Sequence, residues 1–374
     1  MATVYSKSGK KWGHDYEFSV IETLDRVDLE SDDVIYYHHP YDTLIAGIPL
    51  YDSLDDVNWQ HIKSNPTVCL VHDNDSETFD ISFAHEVVTT INKRGIATKQ
   101  LRIVVMDENH KEFLEKYLKN AGIENVIVQV TNYLLNEVQI FEAEIKPIKK
   151  FSSLSRNYRI WRLRFYAELL HRGILENNFL YSFFNIWPYQ EPAKVYSADE
   201  LIEDLQSIGK FELTDSIQQW INHCPHELST ENNVHNKWSN ATYTAIFSSY
   251  IHAIIETHYD QKEFSCQKEY DRLFAPSSIT EKTYKPIACK KPFIAFSTPH
   301  WLEDLRKLGF KTFHPYINED YDLVENNLDR LIMIADEIER ISTLDETEFV
   351  ELIKKCNDIT AYNYNLLLEK KNAR

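Results

Sequence analysis

Residues 278–285 read S-I-T-E-K-T-Y-K, and a single helical turn there would set a carboxylate, Glu281, beside two ammonium groups, Lys282 and Lys285. A carboxylate accepts paired hydrogen bonds from vicinal hydroxyls such as those of a ribose, and lysines at a helix start add point charges suited to a diphosphate. Ser278 followed by Glu281 also fits the S-x-x-E capping box, in which the two side chains satisfy each other's backbone N–H groups. On this reading Ser278 caps the helix and Glu281 and Lys282 sit at the positive end of its dipole, where an anion is favoured. Lys290 and Lys291 fall in a surface turn before Pro292.

A second charged stretch lies between residues 146 and 172. It carries Lys146, Lys149, Lys150, Arg156, Arg159, Arg162, Arg164 and Arg172 against the single acid Glu168, in a chain whose formal net charge is -18. Arg159 and Arg162 are three apart, share a helical face and can converge on one anion. The overall acidity disfavours a whole-surface grip on nucleic acid, so any polyanion must meet a local patch. Two further clusters, "YYHHPYD" with His38, His39 and Asp42 and "VHDNDSETFD" with His72, Asp73 and Asp75, offer groups able to take a proton from a hydroxyl. Asp73 and His39 are the two we single out as candidate bases. "DND" lacks the glycine and distal glutamate of a calcium loop.

The elements that must position these residues alternate. Residues 32–39, 66–73, 101–107 and 124–132 are short β-branched runs, and two segments between them, "DISFAHEVVTTINKRG" and "ENHKEFLEKYLKNAG", have helical periodicity and end at glycine. That pattern predicts a parallel sheet with crossover helices, a Rossmann-like N-terminal half. Near residue 145 the texture changes to a proline, a lysine pair and serines, which places a boundary between domains 1–145 and 146–374. A second alternation follows, with strands expected at 251–257, 292–297 and 310–316 and helices between them, and from Asn326 onward the chain reads as helical.

Composition bounds the function. The 374 residues suit two domains, 43% hydrophobic and 26% charged residues are ordinary for a folded protein, and the five cysteines form no C-x-x-C pair. A reduced, cytoplasmic setting is expected, because Met1–His14 has no apolar core after its lysines and no run of about eighteen apolar residues occurs. With eight glycines and no G-x-G-x-x-G after an early strand, a dinucleotide oxidoreductase is excluded.

The stretch "SSITEKTYKPIACKKPFIAFSTPHWLEDLRKLGFKTFHPYINEDYD" resembles a segment of glycosyltransferase-like proteins of bacteria and their viruses, with a T-E-K-[TS]-[YWF]-K-P-[IF] helix, a P-F-I strand and a terminal D/N-E-x-Y-D. A related E-K-x-[WY] helix occurs in alpha-1,3-fucosyltransferases. "SRNYRIWRLRFYAELLHRGILENNFLYS" is similar to the same family's N-R-x-x-R-x-H-R helix. Ser155 stands there in place of asparagine and Trp161 in place of histidine, while Arg156, Arg159 and Arg162 match. The resemblance implies an α/β fold of GT-B type, two Rossmann-like domains facing across a cleft, with helices at the C-terminus. It implies a nucleotide-sugar-dependent hexosyl- or pentosyltransferase acting without a cofactor or metal. The donor, a UDP- or GDP-sugar, would be bound by Thr280, Glu281, Lys282, Lys285, Arg156, Arg159 and Arg162 in the C-terminal domain. The acceptor would be a glycan or a hydroxylated base of viral DNA, met by the N-terminal domain. A non-catalytic nucleotide-sugar or polyanion binding module of the same fold is the alternative. The resemblance gives "NEDYD" (318–322) no role, and a loop fixing the crossover or a functional segment are both open.

Overall fold

A computed structural model describes residues 3–6, 34–38, 56–65, 69–73, 81–130, 135, 138–140, 144–155, 160–183, 186–187, 194–195, 198–207, 209–221, 240–256, 259, 277 and 279–372. The chain divides into two compact units, Met1–Asn136 with Gln261–Ser278, and Glu137–Asp260 with Ile279–Arg374. Both are α/β units built on a parallel sheet.

In the first unit, β1 (Thr3–Ser6), β2 (Val34–His38), β3 (Cys69–Asp73), β4 (Leu101–Val105) and β5 (Ile127–Val130) pair in that order, every pair parallel. Parallel neighbours need a crossover, and helices Asp56–Ser64, Ile81–Arg94 and Glu108–Asn120 supply three of them. The order advances steadily in one direction, so right-handed crossovers leave their helices on one face. Trp59, Ile62, Ala84, Val87, Ile91, Leu114 and Leu118 from these helices accordingly share one buried cluster with Leu101, Ile103 and Val105 of β4. Two helices stop where the sequence places glycine: Gly95 and Gly122 have φ of 64° and 74°, and Ile96 and Ile123 donate back to Ile91 and Leu118.

The second unit contains β6 (Lys149–Leu154), β7 (Phe179–Ser182), the antiparallel pair β8 (Ile186–Trp187) and β9 (Lys194–Val195), β10 (Ser249–Ile255) and β11 (Phe293–Phe296). Its main sheet is parallel, in the order β11-β10-β6-β7. From β6 the chain passes through helix Ile160–His171 to β7 on one side, and from β10 it reaches β11 on the other side after helix Glu281–Ala288. The winding therefore reverses between β6 and β10. In open parallel sheets such a reversal opens a crevice beyond the carboxyl ends of the strands.

The two helices cover opposite faces. Alternate residues of a strand point the same way. Ser153 contacts Tyr166 at 3.1 Å between hydroxyls, and Phe296 lies 4.9 Å from the Phe165 ring, so one face looks at helix Ile160–His171. His252 and Ser152 are register partners on the other face, with Glu256 two pleats beyond His252 on the side of helix Glu281–Ala288. C-terminal helices Trp301–Lys307, Asn327–Thr343 and Glu346–Asn372 complete the unit. Lys150 ties them to the sheet by donating to the carbonyls of Ile341, Ser342 and Leu344, the exposed negative end of a helix.

Residues 310–316, expected as a strand, form none. Phe310 and Phe313 are buried, but the backbone is held by side chains instead of a β ladder: Lys311 exchanges two 2.8 Å hydrogen bonds with the Asn363 amide, and Phe313 N donates to Glu319. The acidic "NEDYD" run is tied up in the same way. Asp322 accepts from Leu302 N at 2.8 Å and Glu303 N at 3.2 Å and so caps helix Trp301–Lys307, which favours the crossover-loop reading.

Candidate functional site

The carboxyl edge of β10 ends in Glu256, a residue that sequence reasoning passed over. It is 1% exposed, and each of its oxygens accepts from the start of helix Glu281–Ala288. Oε1 takes Thr283 Oγ1 at 2.8 Å and Thr280 N at 3.3 Å, and Oε2 takes Thr280 Oγ1 at 2.7 Å. Burial pushes the Glu256 carboxyl above its ordinary value of 4.5, against the pull of Lys282 and the two threonine hydroxyls. "Glu256" follows the apolar run IHAII in the sequence, and an acid directly after a buried strand was the available signal.

This changes the cap. The residue preceding the helix is Thr280, whose Oγ1 accepts from Lys282 N at 3.3 Å, and the expected Ser278–Glu281 box gives way to Thr280 backed by Glu256. Glu256, arriving from a neighbouring strand, satisfies Thr280 N and both threonine hydroxyls. Thr283 N and Tyr284 N turn to Thr280 O. The backbone donors at the helix start are thus largely taken, so an anion arriving here is met by side chains.

Those side chains gather around the same point. Lys282 Nζ lies 3.2 Å from Thr280 Oγ1, 3.6 Å from Glu281 Oε1 and 3.9 Å from Glu256 Oε2, and its side chain keeps 22% exposure. Lys285 Nζ is 3.9 Å from the same Glu281 oxygen and is nearly buried. From the opposite face of the sheet, Arg162 in the first turn of its helix sends Nη2 to the Glu256 carbonyl at 3.4 Å. Arg162, Thr280, Glu281, Lys282 and Lys285, all expected from the sequence, therefore meet at the winding reversal. Arg156, Arg159, His39 and Ser278 lie outside the described residues. Asp73 closes β3 at the carboxyl edge of the first unit, paired in register with His38.

Beneath Lys285, His252 Nδ1 lies 2.8 Å from Ser152 Oγ, which accepts from Ser249 Oγ at 2.7 Å. Burial, with Lys285 nearby, lowers the His252 ring to about 3. This histidine is neutral and structural.

The remaining basic groups of 146–172 are largely engaged inside the unit. Arg164 forms a two-pronged pair with Asp204 at 2.7 and 2.8 Å, Arg172 joins Glu168, Asp336 and Glu339, and Lys149 donates to the carbonyls of Glu176 and Asn177. With Lys150 holding a helix end, four of the eight cations are structural. Lys290 sits in the expected turn with φ 54°, and Lys291 reaches back to the Phe247 carbonyl at 3.1 Å. Among the described residues no group of three His, Cys, Asp or Glu is arranged to hold a metal, and no helix is long and apolar enough to cross a membrane.

No protein family and no curated protein matches the sequence. Among solved structures the chain is similar to the pneumococcal O-GlcNAc transferase GtfA in complex with UDP and GlcNAc, with TM-score 0.42 and 9% identity over 95% of this chain and 58% of that one. It is also similar to an alpha,alpha-trehalose-phosphate synthase (UDP-forming) from Burkholderia vietnamiensis, with TM-score 0.42 and 12% identity over 93% and 76% of the two chains. An alpha1,3-fucosyltransferase with GDP gives 0.36 and 8% over 98% and 89%. The chain spans little more than half the length of the first of these. Likenesses this loose leave the site to stand on its own geometry.

Proposed function

We propose that the protein is a GT-B-type glycosyltransferase that binds a nucleotide-diphosphate sugar at the carboxyl edge of the second unit. The observation that carries this is the meeting of Arg162 and Lys282, from helices on opposite faces of the sheet, at Glu256 where the winding reverses. Two cations at such a point suit a diphosphate. Glu281, steadied by Lys285, supplies a carboxylate for the ribose hydroxyls, and Thr280 orients Lys282. Arg156 and Arg159 join the same donor set on the resemblance of residues 155–162 to the N-R-x-x-R-x-H-R helix of the glycosyltransferase-like proteins.

In the reaction the acceptor oxygen attacks the anomeric carbon, the bond from that carbon to the diphosphate oxygen breaks, and the nucleoside diphosphate leaves with the electron pair. Asp73 and His39 are the candidates for the group that takes the acceptor's proton. A glycan is the favoured acceptor. A hydroxylated DNA base fits less well, because half of the basic run that would track phosphates is already paired within the unit.

Calorimetric titration with UDP, GDP and CMP tests the reading. A diphosphate should bind the wild type and lose at least about tenfold in affinity on Lys282→Ala, the loss of one charge-assisted contact. Binding of none of the three would sink it. Slow donor hydrolysis without acceptor separates an enzyme from a binding module of the same fold.

A further inference from the structure

β6 and the residue that follows it carry three serines, Ser152, Ser153 and Ser155, and two of them are accounted for. Ser152 Oγ bonds His252 and Ser249, and Ser153 Oγ bonds Tyr166. Ser155 is 2% exposed, its N–H donates to Ser182 O at 3.0 Å, and its hydroxyl has no hydrogen-bond partner among the described residues. A buried hydroxyl left this way is costly, and buried polar groups are normally paired.

Its place in the sheet sets what lies around it. Carrying the register of Ser152 with His252 forward by three residues sets Ser155 beside Ile255, one residue before Glu256 and about 5 Å away across the ladder. Ser155 shares the pleat face of Ser153, which is the face of helix Ile160–His171, and that helix carries Arg162 in its first turn. The hydroxyl therefore lies at the winding reversal, on the Arg162 side, with Lys282 across the edge.

We infer that Ser155 Oγ donates a hydrogen bond to a phosphoryl oxygen of the bound ligand, between the two cations, and that this position is part of the ligand site. Neighbouring positive groups make an anionic oxygen the fitting partner. The inference rests on the donor reading only for the nucleoside; the phosphoryl contact itself requires no particular base or sugar.

Ser155→Ala tests it on the full chain, titrated with UDP, GDP and inorganic pyrophosphate and melted without ligand. Affinity for the bound probe should fall about tenfold, as for one hydrogen bond to a charged group. The melting temperature of the free protein should hold or rise, because among the described residues the hydroxyl makes no hydrogen bond to lose. Affinity within twofold of the wild type would overturn the inference and leave the donor reading intact. A fall of several degrees in the ligand-free melting temperature would also overturn it, by showing that the hydroxyl has a structural partner. Pyrophosphate binding that is weakened by Ser155→Ala, with no nucleotide bound by the wild type, would uphold the phosphoryl contact and remove the donor reading. Wild type that binds neither would overturn both.

Discussion

Replacing Glu256 should unseat helix Glu281–Ala288. Glu256→Ala removes the acceptor for Thr280 N, Thr280 Oγ1 and Thr283 Oγ1, and both threonines are fully buried. The hydroxyls can turn to other acceptors, but the Thr280 N–H cannot move. One orphaned buried donor costs about 1–3 kcal/mol, and breaking a buried charged network costs about 3–5 kcal/mol in all, so we expect a loss of about 4 kcal/mol. Glu256→Gln keeps the volume and one accepting oxygen but turns an amide N–H₂ towards donors, and should cost about 1–2 kcal/mol. Urea unfolding of the two variants measures both. The pH dependence carries a sign. Because burial holds the folded carboxyl above its ordinary 4.5, the glutamate's favourable contribution is complete below that value and is lost as pH rises through the raised folded value. The stability gap between wild type and Glu256→Gln should therefore widen as pH falls from 7 towards 4.5. An alanine variant within 1 kcal/mol of wild type, or a gap that narrows on acidification, would refute the reasoning.

Two other outcomes follow from the same geometry. The His252 ring, held near 3, should show no titration by NMR between pH 5 and 8, and Lys285→Met should move its midpoint upward; a wild-type midpoint near 6.5 would show that the ring is hydrated. Arg164→Ala should cost about 1 kcal/mol of stability through its Asp204 pair and leave nucleotide affinity unchanged, whereas loss of nucleotide binding there would return the basic run to the site.

Much of the local geometry of the candidate site was legible before the fold. The chemistry of Thr280, Glu281, Lys282 and Lys285 is local to one turn, and a spacing of three to four residues fixes which side chains share a face whatever surrounds them. Helix ends at Gly95 and Gly122 were legible for the same reason, since positive φ is a property of the residue. At residues 149–155 the composition of "KKFSSLS" marks a domain boundary and gives no sign of a strand, yet Ser152 and Ser153 line a buried one, because His252, Ser249 and Tyr166 arrive from elsewhere in the chain to satisfy them. Residues 310–316 misled in the opposite sense, their β-like pattern being overridden by Asn363 and Glu319.

The sequence by itself determined the alternation of strands and helices, the turn that holds Glu281 and Lys282, and the basic character of the Arg162 helix. Those depend on neighbours within a few residues. Only the tertiary structure decided that Thr280, backed by Glu256, caps its helix, that Arg164 is spent on Asp204 while Arg162 reaches the end of β10, and that the Ser155 hydroxyl has no hydrogen-bond partner among the described residues. Each of these depends on which strand lies beside which. Glu256 meets Thr280 from 24 positions away and Arg162 meets Glu256 from 94, separations at which sequence spacing carries no geometry until the sheet closes.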